Sequence, residues 1–168
     1  MARCDPGEAR GTGADGPERV AVGVADYAVA TGDVALTTSG LGSCLGIALY
    51  DPETGVAGLE HAMLPRAADS VGGDPAKFVD TGVDALLEEM AAAGADPARV
   101  EAKIAGGADM LSFSGDAVGS RNADAAREVL PDRGVRIVAA DVGGSRGRSL
   151  SFCRGTLSVR NAGDVRSL

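Results

Sequence analysis

The chain of 168 residues carries 24 acidic side chains against 16 basic ones, a net charge of −8, and fits a single domain that buries roughly 70% of its unfolded surface. A surface this acidic disfavours non-specific nucleic-acid binding and suits a salt-rich solution. Three cysteines with no metal-ligand spacing, no charged-then-apolar leader and no apolar run of membrane-span length argue against a disulfide framework, a zinc site and direct membrane insertion. The expectation is a cytoplasmic protein in a reducing compartment, with no cofactor and no metal.

Residues 1–18 repeat Gly, Asp, Glu and Arg without apolar periodicity and are expected to form a disordered tail containing Cys4. A single domain is expected over residues 19–162, with 163–168 as a C-terminal tail. Residues 20–24 read as a strand, with 25–29 an optional extension of it. Gly32-Asp33 then turns the chain into a strand over 34–38, which leads to Cys44.

Residues 45–50 and 56–64 are two mostly apolar runs separated by Asp51-Pro-Glu-Thr-Gly55, which has the composition of a turn. If residues 51–54 form a four-residue loop, Tyr50 pairs with Gly55 and Cys44 falls opposite His61 on the same face of a hairpin. A two-residue loop keeps that register. A three- or five-residue loop sends the two side chains to opposite faces, and a bulge among Gly40-Leu-Gly-Ser would disturb the strand entry.

Residues 66–73 are polar and glycine-bearing, hence a loop. Asp74-Pro75 supplies an N-cap and a proline for the first helical position. Val79, Val83, Leu86, Leu87 and Met90 follow at helical spacing, and Gly94 provides a left-handed stop. One stripe of this helix packs on a sheet while Asp80, Asp84, Glu88 and Glu89 face solvent.

Residues 100–105 form a strand ending in Gly106-Gly107, where the backbone comes close to a neighbour. Residues 109–119 have no clear assignment. A second helix is expected from a Ser120 cap through Ala126, Val129 and Leu130, with Pro131 ending it early. A strand over 135–140, a loop rich in glycine and arginine, and a closing hairpin complete the chain. Strands before, between and after two helices give an α+β fold class, with antiparallel or mixed sheets covered by helices.

A thiolate is a competent nucleophile, and an adjacent imidazole can take the thiol proton and return it to a leaving amine. Because His61 is the only histidine in the chain, any thiol–imidazole pair must use it, and local pairing brings Cys44 to it. The alternative is a small buried cysteine beside a hydrogen-bonded core histidine. Gly40, Gly42 and Ser43 make a backbone whose N–H groups could face a substrate as an oxyanion hole requires; the same glycines could serve strand entry alone. Thr38, six residues before Cys44, offers a hydroxyl to orient the imidazole, the role Asp or Asn fills elsewhere. Cys153 lies in a strand, where packing is its expected use. Arg146 and Arg148 sit in a loop without the P-loop pattern, so structural salt bridging is expected of them.

Six segments in order resemble the CheD family of chemotaxis proteins: Thr38-Ser-Gly-Leu-Gly-Ser-Cys44, His61-Ala-Met-Leu-Pro65, Lys77-Phe-Val-Asp80, Ala102-Lys-Ile-Ala-Gly-Gly-Ala-Asp-Met110, Gly119-Ser-Arg-Asn122 and Asp141-Val-Gly-Gly-Ser-Arg-Gly-Arg148. The resemblance runs from about residue 20 to 160. It implies a glutamine deamidase acting on chemoreceptor cytoplasmic domains, with Cys44 as nucleophile, His61 as base then acid, and Thr38 orienting His61. It also implies a β-sandwich flanked by helices, related to the cytotoxic necrotizing factor catalytic fold, and a second partner, the CheC phosphatase. An alternative is a regulatory binding module for a CheC-like phosphatase with minor deamidase activity. Glu60 departs from the family pattern, being more acidic than the small residue expected there; by the same register it would pair with Leu45 on the face away from the site.

Overall fold

The computed structural model describes residues 16–109 and 117–168. Two five-stranded sheets pack face to face, and two helices cover the outer side of one of them. The first sheet runs in the order β1(Glu18–Ala21), β3(Val34–Leu41), β8(Arg148–Cys153), β9(Thr156–Asn161), β10(Asp164–Ser167). The second runs β2(Asp26–Ala30), β5(Ala57–Ala62), β4(Leu45–Tyr50), β6(Glu101–Gly106), β7(Arg136–Val142). The β1–β3 and β6–β7 pairs are parallel and the rest antiparallel, so both sheets are mixed.

Alternation along the strands divides the interior into two layers. Between the sheets, Leu36, Leu41, Leu150, Phe152 and Leu157 of the first meet Ala48, Ala57, Leu59 and Ala105 of the second. Leu45, Ile47, Leu49 and Ile104 point the other way and are covered by helices α1(Val79–Ala92) and α2(Val118–Asp132). In α1, Val79, Val83, Leu86 and Met90 are buried, as the helical spacing predicts, and Leu87 is half-buried. Gly94 follows with φ 108°.

Several expectations shift. Residues 25–29 do not extend the first strand: Ala25 takes φ 57°, and the chain leaves the first sheet to begin β2 in the second. Among the described residues, five strands therefore precede the helices. Asp74 caps a single 3-10 turn over Pro75–Lys77, its carboxylate accepting from Ala76 N–H at 3.0 Å, and α1 starts only after extended Phe78. Pro131 does not cut α2 short, because it stands in the last turn, and Ser120 lies inside the helix rather than at its cap. Residues 164–167, expected as a tail, form edge strand β10, and Leu168 exchanges two backbone hydrogen bonds with Leu157. The first strand begins at Glu18, within the expected tail; residues 1–15, Cys4 among them, lie outside the described residues, as do 110–116 of the unassigned stretch.

The β4–β5 connection is the difference that matters most for the site. Asp51 N–H donates to Val56 O at 3.0 Å, leaving residues 52–55 as the four-residue loop, one position later than expected. Tyr50 therefore pairs with Ala57, and Gly46, not Cys44, stands opposite His61. The Asp51 side chain, with no exposed surface, fixes this turn by accepting from Glu53 N–H, Asp96 N–H and the Arg99 guanidinium. Arg99 holds that carboxyl far below the usual carboxylate range. Glu60 likewise pairs with Ile47 rather than Leu45.

Candidate functional site

A two-residue slip in register moves a side chain along the strand but leaves it on the same face. Cys44 enters β4 two residues before Gly46, on the face of β4 that looks at the first sheet, and packs half-buried against the inter-sheet core. His61 lies on the same face of β5 with no exposed surface. The two are diagonal rather than directly opposite neighbours, a relation that in a regular ladder puts Cβ atoms about 7 Å or somewhat less apart.

Thr38 arrives from the other sheet. It follows Leu36 by two positions in β3, so it too points inward, and it is almost fully buried. Immediately after it the β3–β8 register shifts between Thr38 and Leu41, a bulge with Gly40 at φ 73°. Thr38 Oγ1 lies 2.8 Å from Val22 O and 2.7 Å from His61 Nδ1. A hydroxyl has one proton to give, and a carbonyl can only accept, so that proton goes to Val22 O. Thr38 must then accept from His61, which assigns the imidazole proton to Nδ1 and leaves Nε2 as a bare acceptor. Nε2 is buried and has no hydrogen-bond partner among the described residues.

Burial acts in opposite senses on the two titrating groups. It pushes the Cys44 thiol up and the His61 imidazole down, since a charged form is disfavoured in either case. At neutral pH the pair rests as thiol and neutral imidazole. Cys44's own backbone N–H acts on the thiol in the other sense, lowering it.

The loop carrying Cys44 is fastened through its carbonyls. Gly42 O accepts from Ala108 N–H at 2.9 Å and Cys44 O from Gly107 N–H at 2.8 Å. Between them, Ser43 O accepts from Asn122 Nδ2 at 2.9 Å, and the same Nδ2 donates to Met63 O at 3.0 Å. Gly42 N–H is taken by Gly40 O at 3.1 Å, so of the two expected oxyanion-loop residues only Ser43 retains its N–H outside that turn. Gly106, at φ 113°, comes so close that a Cβ there would stand 2.5 Å from Cys44 O. Arg148 supports the same corner: it is buried, paired with Asp141 at 3.1 Å and donating to Gly143 O, with a longer 3.4 Å contact to Gly106 O. This is the salt bridging expected of it.

Asn122 was legible only as a letter in one of the segments that carry the family resemblance. Nothing in its spacing says that it reaches Ser43 and Met63, nor does the salt bridging expected of Arg148 say that it braces Gly106. Gly106-Gly107 did carry a signal, the close backbone approach. Cys153 is buried at the end of β8, and Cys44 is the free thiol among the described residues. Among those residues no cluster of metal-ligating side chains converges, and no helix is long and apolar enough to cross a membrane.

The arrangement defines a class: a mixed α+β protein with a thiol and an imidazole on one face of a sheet and a hydroxyl reaching the imidazole from the facing sheet. The profile of CheD chemotactic sensory transduction proteins matches residues 63–161. A probable chemoreceptor glutamine deamidase CheD of Haloarcula marismortui is 59% identical over 138 residues, 81% of this chain and 80% of that protein. One of Natronomonas pharaonis is 48% identical over 148 residues, 86% of this chain and 88% of that protein. The chain belongs to the CheD family. Among solved structures, a Neisseria meningitidis protein of the DUF152 family superposes with a TM-score of 0.47 at 13% identity, covering 77% of this chain and 65% of that one.

Proposed function

We propose that this protein is a cytoplasmic chemoreceptor glutamine deamidase, a cysteine hydrolase that converts selected glutamines of receptor cytoplasmic domains to glutamate and releases ammonia. The names of its relatives supply the reaction and the substrate class. The observation that carries the mechanism is the 2.7 Å contact between Thr38 and His61, which turns a bare Nε2 away from Thr38 in an imidazole on the same face as the Cys44 thiol.

The proposed reaction uses those positions. His61 Nε2 takes the Cys44 proton as sulfur attacks the glutamine side-chain carbon, and the carbonyl oxygen becomes an oxyanion facing the N–H groups of Ser43 and Cys44. The imidazolium returns the proton to the departing nitrogen, the C–N bond breaks and ammonia leaves. Water, deprotonated by His61, then attacks the glutamyl thioester. Sulfur departs with the proton, and the sum is glutamine plus water to glutamate plus ammonia. Each turnover makes the receptor more negative by one charge, enough to bias a signalling equilibrium. The family resemblance adds a likeness to the cytotoxic necrotizing factor catalytic fold and a CheC-like phosphatase that covers the same surface; adding such a phosphatase should slow the reaction.

The test is incubation with a receptor cytoplasmic fragment followed by mass spectrometry. Each modified glutamine gains about one dalton, and Cys44→Ala should show no gain. A Cys44→Ala protein that still modifies receptor overturns the assignment. Ammonia release from free glutamine as fast as from receptor would instead make the protein a small-amide hydrolase.

A further inference from the structure

Asn122 has no exposed surface, and its one nitrogen donates to two backbone carbonyls that belong to different parts of the site. Ser43 O is in the nucleophile loop. Met63 O is two residues beyond His61, where β5 has just ended. Both protons of Nδ2 are thereby used, while Oδ1 has no partner among the described residues. A buried amide that leaves its acceptor unsatisfied while both donors are engaged is held for what the donors do.

What they do follows from peptide geometry. In a trans peptide the C=O and the following N–H point in opposite directions. Drawing Ser43 O toward α2 therefore sends the N–H of Cys44 away from α2. Its neighbours are held in the same sense, since Gly42 O and Cys44 O accept from Ala108 and Gly107. The starting end of α2 is set by glycine against Gly107 and Ala108, whose N–H groups hold this loop: a Cβ at Gly119 would lie 2.5 Å from Ala108 O, and one at Gly107 would lie 2.7 Å from Gly119 O. Asn122 follows one turn later, at the depth needed to reach both carbonyls.

We infer that Asn122 is a positioning residue that aims the Cys44 N–H at the oxyanion and ties the nucleophile loop to the end of the strand carrying His61. This rests on the deamidase reading and deepens it. It acts through Ser43 and Met63 and touches no reacting atom, so its loss lowers turnover rather than substrate binding.

The test uses Asn122→Asp, which keeps the volume and removes both donors, and Asn122→Ala, with Val129→Ala on the same helix as a control that loosens α2 without touching the loop. Receptor deamidation should lose about 10²-fold in kcat with KM within about twofold in both Asn122 variants, and far less in Val129→Ala. Alkylation of Cys44 by iodoacetamide, which needs no receptor, should shift its pH midpoint upward in the Asn122 variants only, because the N–H beside the sulfur is no longer fixed. An unchanged kcat, or an equal loss in Val129→Ala at matched melting temperature, overturns the inference. Should neither variant fold, couplings across the hydrogen bonds from Asn122 Nδ2 to the Ser43 and Met63 carbonyl carbons in the wild-type NMR spectrum decide it, and their absence overturns it. Failure here leaves wild-type deamidation and its dependence on Cys44 intact, whereas failure of the deamidase reading is seen directly in Cys44→Ala.

Discussion

Glu60 and His61 are consecutive in β5, both without exposed surface, yet they sit in opposite chemical worlds. His61 faces the other sheet, where Thr38 Oγ1 accepts a hydrogen bond from its Nδ1–H and fixes the tautomer. Glu60 faces α1, where neither carboxyl oxygen has a hydrogen-bond partner among the described residues and a Cβ on Gly82 would stand 1.8 Å from Oε1. Burial raises the Glu60 carboxyl well above its ordinary value, with Asp80 adding to it, which favours its protonated form. One face of the strand holds a buried titratable group whose proton a partner fixes; the other holds one with no hydrogen-bond partner among the described residues. Burial alone does not make a site; a partner that fixes the proton does.

The largest test of that contrast removes the imidazole. His61→Ala should lower deamidation by about 10³-fold or more while Glu60→Ala leaves turnover within a few-fold, measured by receptor mass shift. Comparable losses would erase the distinction between the faces. Next, Gly82→Ala should destabilise by about 1–3 kcal/mol because a methyl must displace the Glu60 carboxyl. Combining it with Glu60→Ala should recover much of the loss in thermal melts, and simple additivity would mean that the two do not meet.

Thr38→Val should lower kcat about tenfold, and Thr38→Ser, which keeps the hydroxyl, should restore most of it. His61 must be neutral to act as base, and burial lowers its pKa, so the acid limb of the wild-type rate profile should have its midpoint below 6.5, the ordinary imidazole value. A midpoint above that value would contradict the burial of His61.

The smallest effect is on pH-dependent stability. Native Glu60 keeps a proton that the unfolded chain releases above about 4.5, so its contribution to stability is present below that pH and is lost as pH rises toward the native value. Glu60→Gln does not titrate. Its melting temperature should pull ahead of wild type as pH rises from about 5 to about 8, and a constant difference would show that Glu60 has found a partner.

Much of the frame was readable from the chain. The stripe of α1, the short strands around two helices that make the α+β class and the uniqueness of His61 need only period, turn chemistry and counting. The shared face of Cys44 and His61 was readable too, because the loop has four residues wherever it is centred. Their exact pairing was not, since Asp51 closes the turn under Arg99 from a distant 3-10 turn, and that contact slides the loop by one position. Ala25's left-handed backbone, which splits one expected strand between two sheets, was equally hidden.

By itself, then, the sequence determined that Cys44 and the sole imidazole share a face of the hairpin, because side-chain alternation in a strand is a local property of the backbone. Only the tertiary structure decided that Thr38 crosses from the other sheet to hold His61, that Asn122 reaches down from α2 to Ser43 and Met63, and that Glu60 is sealed against Gly82. Those contacts join segments from 22 to 79 residues apart, and their geometry depends on how two sheets and two helices pack, which no local pattern encodes.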